Sequence, residues 1–107
     1  ATRYLGTDER GAAGAAKLHF PGLHPDAAAW LVNERDIASI GIDTASIDYG
    51  QSRNFGAHVA LMEANIPAFE NLANLDLLPA TGAFVVALPI KIKGGSGGPL
   101  RIVAQLP

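Results

Sequence analysis

HPDAAAWLVNERDIASIGID, the stretch from His24 to Asp43, predicts a helix followed by a buried strand. Pro25 suits the first helical turn, and Asp26 lies where the positive end of the helix dipole favours an acidic side chain. The β-branched run from Ile37 to Ile42 is typical of a short buried strand. This stretch therefore predicts one αβ unit.

The rest of the chain predicts further elements of both types. Upstream, Thr7–Gly14 is small and polar and predicts a loop. Downstream, we expect a long polar loop at 43–54 and a helix at 55–65 that ends before a proline. A short strand at 68–70, a helical or 3₁₀ turn at 72–78 and two more strands at 84–92 and 100–106 should follow. The order α, β, α, β, β, β predicts an α/β fold with a mixed β-sheet and flanking helices.

Length and composition limit the organisation of the protein. The chain has 107 residues, of which 49% are apolar and 17% charged. This length suits one domain, and we expect residues 1–107 to form a single domain. Because so few polar residues are available to cover a free monomer, we expect an apolar face that another polypeptide covers, either in a homo-oligomer or by association with a missing part.

Charge and hydropathy exclude several classes of partner. The net charge of −2 and the scattered basic residues offer no basic stripe, so nucleic acid is not expected as a partner. No apolar run has the roughly 18–20 residues of a membrane helix, so a membrane is not expected either. The chain contains no cysteine, which is compatible with the reducing cytoplasm, the compartment we expect.

His58 and Glu70 are the candidate metal ligands. They stand twelve positions apart, at a helix and at the end of a short strand, and imidazole and carboxylate are usual ligands of a catalytic zinc or manganese ion. The same spacing is common in hydrogen-bonded or surface pairs, so the pair alone leaves both interpretations open. Because a catalytic zinc normally has three protein ligands and a water, two side chains would form only part of the site.

Asp43 and Asp48 in the long loop are second-tier candidates. They are interpreted as metal ligands, substrate contacts or loop caps, and hydrogen bonding of the side chain to nearby backbone is the commonest of these roles. His19 and His24 flank a Phe-Pro-Gly turn without a carboxylate neighbour to orient their rings, so a capping role is favoured over metal binding.

No residue of the chain is identified as catalytic. The sequence contains neither G-x-S-x-G nor H-E-x-x-H and has no cysteine nucleophile. The glycine run Gly94–Gly98 lacks the Lys-Ser/Thr of a phosphate-binding loop and predicts a structural connection. A small-molecule carboxylate binder that uses Arg101 and this glycine loop is a weaker alternative.

From Phe20 to the end, the chain resembles the cyclase family of metal-dependent hydrolases, whose members include kynurenine formamidases and isatin hydrolases. The resemblance rests on several stretches in the same order. These are FPGLHPDAAAWLVNERDIASIGIDTASID from Phe20, H-x-x-L-M from His58, ENLANLDLLP from Glu70 and LPIKIKGGSGGPLRIVA from Leu88.

The resemblance implies a function and a fold. Members hydrolyse the C–N bond of a formamide or cyclic amide at a site with one or two divalent ions, zinc or manganese. His58 and Glu70 occupy the positions of two metal ligands in the family. The implied fold is a swivelling β/β/α arrangement, and subunits of such enzymes commonly associate.

The resemblance also implies that part of the site is missing. In the family, the other ligands and the catalytic histidine lie in an N-terminal motif, H-x-G-T-H-x-D-x-P-x-H, which this sequence does not contain. The chain is thus expected to correspond to the C-terminal half of a hydrolase of small amides and to be inactive alone. The alternative is a non-catalytic, truncated relative that acts as an oligomerising interaction module.

Overall fold

The structure is a computed structural model and describes residues 11–107. It begins with the short helix α1, Gly11–Ala15. The predicted loop at Thr7–Gly14 is therefore wrong for residues 11–14, where alanine, the strongest helix former, favours a helical turn. Residues 7–10 lie outside the described part.

The αβ unit predicted around His24 is present, with a shorter strand than expected. Helix α2 spans Pro25–Arg35; the Asp26 backbone N–H donates to Nδ1 of His24 at 3.2 Å and so caps its first turn. Strand β1 is only Ile40–Gly41. The strand is shorter than the expected Ile37–Ile42 because it pairs with only one short strand.

That neighbour follows the second long helix. Helix α3 spans Gly56–Glu63 and is preceded by Phe55, whose φ of 49° lies in the left-handed region. Strand β2, Ala68–Phe69, runs parallel to β1 with Ile40 opposite Ala68. The loop at residues 43–54, called the 43–54 loop below, therefore lies between the strand that starts this parallel pair and α3.

The chain divides into two compact units, the first ending at Ala73 and the second spanning Asn74–Pro107. The core of the first unit lies where α2, α3 and the 43–54 loop meet. Small side chains let the two helices approach, and a Cβ on Gly56 would lie 2.6 Å from Cγ of Pro25. The buried residues of this core are Ala28, Ile47, Ala57, Leu61 and Ile66.

The second unit is a 3₁₀ turn followed by a hairpin. The turn is Leu75–Leu77, and strands β3, Phe84–Pro89, and β4, Leu100–Gln105, pair antiparallel with Phe84 opposite Gln105. Apolar side chains remain exposed on this hairpin, among them Phe84 at 67% and Leu88 at 60%.

The predicted α/β class is confirmed. The parallel and the antiparallel strand pairs lie in two separate two-stranded sheets. That residues 1–107 form a single domain stays a prediction. None of the helices among residues 11–107 is long and apolar enough to cross a membrane.

Candidate metal centre

The 43–54 loop is the element that organises the site. Its residues Ile47 and Asp48 are 0% and 2% exposed. The Leu23 backbone N–H donates to the Ile47 carbonyl at 2.7 Å, which ties the loop to the segment before α2. Gly22 faces this contact so closely that a Cβ there would overlap the backbone of Asp48. Ile47 and Asp48 are therefore packed into the core, while Asp43 and Tyr49 of the same loop are exposed.

Asp48 caps helix α3 from a distance. Its Oδ1 accepts from the Ala57 backbone N–H at 3.0 Å and its Oδ2 from the His58 backbone N–H at 3.2 Å. Phe55, at the N-cap position, supplies no capping side-chain hydrogen bond. The carboxylate thus satisfies two backbone donors at the positive end of the helix dipole.

The same carboxylate holds the ring of His58. Oδ2 of Asp48 lies 2.6 Å from Nδ1 of His58. Burial of Asp48 acts to raise the pKa of its carboxyl, but the hydrogen bond with the His58 ring, the N–H groups of Ala57 and His58 and the charge of His58 together hold that pKa below its usual value. Asp48 is therefore a charged group at neutral pH.

The other ring nitrogen of His58 faces Glu70. Nε2 lies 3.5 Å from Oε1 of Glu70, and the two side chains are 36% and 31% exposed. The ring of Phe55 meets the His58 ring edge-on, with centroids 6.1 Å apart. His58 thus lies between two carboxylates, one buried on its Nδ1 side and one accessible on its Nε2 side.

Glu70 is fixed by the 43–54 loop as well. It follows β2, and its Oε1 accepts from the Ile47 backbone N–H at 3.0 Å. The next residue, Asn71, donates its backbone N–H to the Thr44 carbonyl at 2.8 Å. A partly buried carboxylate needs such a donor, and here it comes from the loop that also carries Asp48.

The geometry of His58 and Glu70 fits two ligands of one metal ion. At the usual Zn–N and Zn–O bond lengths, two tetrahedral ligands stand about 3.4 Å apart, close to the 3.5 Å between Nε2 and Oε1. No group of three or more potential metal-binding side chains occurs among residues 11–107. Asp48 does not complete such a group because it faces the opposite nitrogen.

The structure separates the other candidates from this pair. Asp43 is exposed, and among the described residues no hydrogen bond or ion pair joins it to His58 or Glu70. Arg101 is exposed in β4, opposite Leu88, and belongs to the second unit. His19 contacts the side-chain nitrogen of Gln51 at 3.3 Å. No local pattern in the sequence reveals Asp48 as the cap of a helix that begins eight positions later.

Comparisons with known proteins find relatives named as isatin hydrolases and kynurenine formamidases. The family model described as "Putative cyclase" matches residues 2–49, which end before the candidate ligands His58 and Glu70. An isatin hydrolase of Roseibium aggregatum is 38% identical over 108 residues, covering 97% of this chain and 38% of that relative. A kynurenine formamidase of Polaromonas naphthalenivorans is 33% identical over 86 residues, covering 80% of this chain and 38% of the relative.

Solved structures of isatin hydrolases have a similar fold. Isatin hydrolase A from Ralstonia solanacearum matches with a TM-score of 0.81 and 38% identity, covering 100% of this chain and 40% of that structure. An isatin hydrolase bound to the product analogue thioisatinate matches with a TM-score of 0.80 and 37% identity, covering 99% of this chain and 39% of that structure. The chain therefore spans about two fifths of the length of these relatives.

Proposed function

Because this chain belongs to the cyclase family, we propose that it supplies two metal ligands, His58 and Glu70, to a hydrolase that cleaves the C–N bond of a formamide or cyclic amide. The observation that carries the proposal is the 3.5 Å separation of His58 Nε2 and Glu70 Oε1, with Nδ1 of the same ring held by Asp48. This separation suits two ligands of one ion.

The proposal assigns the chemistry to a divalent ion, zinc or manganese, which supplies a water of lowered pKa and polarises the substrate carbonyl. His58 and Glu70 would hold that ion, and both side chains are partly exposed. Because no group of three or more potential metal-binding side chains occurs among residues 11–107, further ligands would come from polypeptide outside those residues. A longer protein or a partner subunit would provide them.

The proposed substrate is a small amide. The relatives are named for isatin, a cyclic amide, and for a formamide of kynurenine. The proposed scissile bond joins a carbonyl to nitrogen, and the water that a bound ion would activate needs no nucleophilic side chain of the protein. That route agrees with the lack of a serine elbow or cysteine nucleophile in the sequence.

A metal titration tests the ligand assignment. Zinc and manganese affinities of the full chain are measured by calorimetry beside those of the His58→Ala, Glu70→Ala double variant. We expect the wild-type chain to bind at least tenfold more tightly. The matched control is Asp43→Ala, which removes an exposed carboxylate from the same unit and should leave the affinity unchanged. Equal affinities of wild type and double variant would refute the assignment.

The alternative function is a non-catalytic module that oligomerises through an apolar surface. The exposed hairpin favours it, since Phe84, Val86 and Leu88 of β3 project to one face and Val85, Ala87 and Pro89 to the other. Strands that are apolar on both faces are typical of the interior of a sheet. A stable monomer in light scattering, together with tight metal binding, would exclude this function.

A further inference from the structure

We infer that Asp48 is a positioning residue that fixes the tautomer and orientation of the His58 ring, so that Nε2 presents its lone pair toward Glu70. The inference deepens the proposed function and rests on it for the identity of the ligands. It assigns Asp48 a role that neither its loop position nor the relatives' names supply.

The hydrogen bond at Nδ1 has a fixed direction. A carboxylate only accepts hydrogen bonds, so the 2.6 Å contact with Oδ2 requires a hydrogen on Nδ1. A neutral imidazole carries one ring hydrogen, and Nε2 is then the unprotonated nitrogen. A carboxylate behind a histidine in this way selects the nitrogen that can bind a metal.

The carboxylate itself is immobile. The Asp48 side chain is 3% exposed. Its two oxygens also accept the backbone N–H groups of Ala57 and His58, so rotating the carboxylate would break the cap of α3. The start of the helix and the orientation of the ring are therefore set by one group.

Ile47, the neighbour of Asp48, contacts the other candidate ligand. Ile47 donates its backbone N–H to Oε1 of Glu70, while Asp48 holds His58 through its side chain. Two adjacent buried residues of the 43–54 loop thus contact both candidate ligands. Of these two contacts, only the one from Asp48 is made by a side chain of the loop.

Asp48→Ala gives the decisive variant, because it removes the carboxylate that accepts from Nδ1. Asparagine would be ambiguous, since an amide whose oxygen faces Nδ1 leaves the tautomer unchanged. In Asp48→Ala the acceptor beside the ring is Oε1 of Glu70, 3.5 Å from Nε2. The hydrogen therefore moves to Nε2, and the lone pair toward Glu70 is lost.

The test is ¹⁵N–¹H NMR of the histidine rings in the metal-free full chain at a pH where they are neutral, with the His58 signals identified by their loss in His58→Ala. We expect the Nδ1–H tautomer in the wild-type chain and in the control Asp43→Ala. We expect the Nε2–H tautomer in Asp48→Ala, and a 10- to 100-fold weaker zinc affinity. Circular dichroism verifies that the variant keeps its helices.

The outcomes separate this inference from the proposed function. An Nε2–H tautomer in the wild-type chain would overturn the inference without any variant, as would a folded Asp48→Ala with unchanged tautomer and zinc affinity. The expected tautomers together with a wild-type zinc affinity no tighter than that of the His58→Ala, Glu70→Ala double variant would uphold the positioning and refute the metal assignment.

Discussion

The backbone N–H of Ile47 donates a 3.0 Å hydrogen bond to Oε1 of Glu70, across 23 positions of the chain. Glu70 therefore anchors the 43–54 loop, a role separate from its proposed one at the metal. Substitutions that keep or remove the hydrogen-bond acceptor separate the two.

We expect Glu70→Gln and Glu70→Ala to differ in stability but not in metal binding. Gln keeps an oxygen for the Ile47 N–H, so the free energy of unfolding should change little, whereas Ala leaves that donor unpaired and should lower it by about 1–3 kcal/mol. Both variants should lose zinc affinity because both lose the carboxylate. Urea unfolding and calorimetry measure the two effects, and equal stability of the two variants would contradict the anchoring role.

Acid should destabilise the metal-free protein through Asp48. The pKa of this carboxyl is lowered in the folded state, so its contribution to stability is fully present above the unfolded pKa of about 3.9 and is lost as the pH falls through the folded value. We expect the free energy of unfolding to fall below about pH 4. In Asp48→Asn this component should be missing, and urea unfolding between neutral and acid pH compares the slopes.

Gly22 should tolerate no side chain. A Cβ there would overlap the backbone of Asp48 and Tyr49, which cannot yield as a flexible side chain would. Gly22→Ala should therefore lower the free energy of unfolding by about 1–3 kcal/mol and also weaken zinc binding, because the loop that orients the ligands must shift. The control is Gly97→Ala, where nothing lies within 4 Å of the new atom. A neutral Gly22→Ala would show that the loop is not fixed at this contact.

Leu61 should be the most sensitive apolar residue of α3. It is 0% exposed, while its neighbour Met62 is 47% exposed. We expect Leu61→Ala to cost about 2–5 kcal/mol of unfolding free energy and Met62→Ala less than about 1 kcal/mol. Thermal unfolding of the two variants tests this, and similar melting temperatures would contradict the packing of α3 on α2.

Local chemistry predicted α2 and α3 but not α1, whose first residues were expected in a loop. The His24-Pro25-Asp26 signal marks the start of α2, and α3 ends at Glu63, before Pro67 and earlier than the expected end at residue 65. Strand lengths were predicted less well, because a ladder forms only where a partner lies: β1 covers two residues of the expected six since β2 offers only two.

The candidate site shows the same division between local and tertiary signals. The spacing of His58 and Glu70 made their contact feasible, and the structure brings them to 3.5 Å. Whether they bind a metal stays a prediction. The role of Asp48 was not predictable, since local capping was the favoured interpretation and its actual partners lie nine and ten positions away.

The backbone of Phe55 lowers the stability of the protein, while its ring restrains the His58 ring. Its left-handed backbone, at a φ of 49°, costs an L-residue other than glycine about 1–2 kcal/mol. Its ring nevertheless leans edge-on against His58. A glycine at position 55 would relax the backbone and remove the ring that restrains the imidazole. Selection for heat tolerance alone would therefore favour glycine here, whereas selection for a rigid imidazole would retain the aromatic side chain.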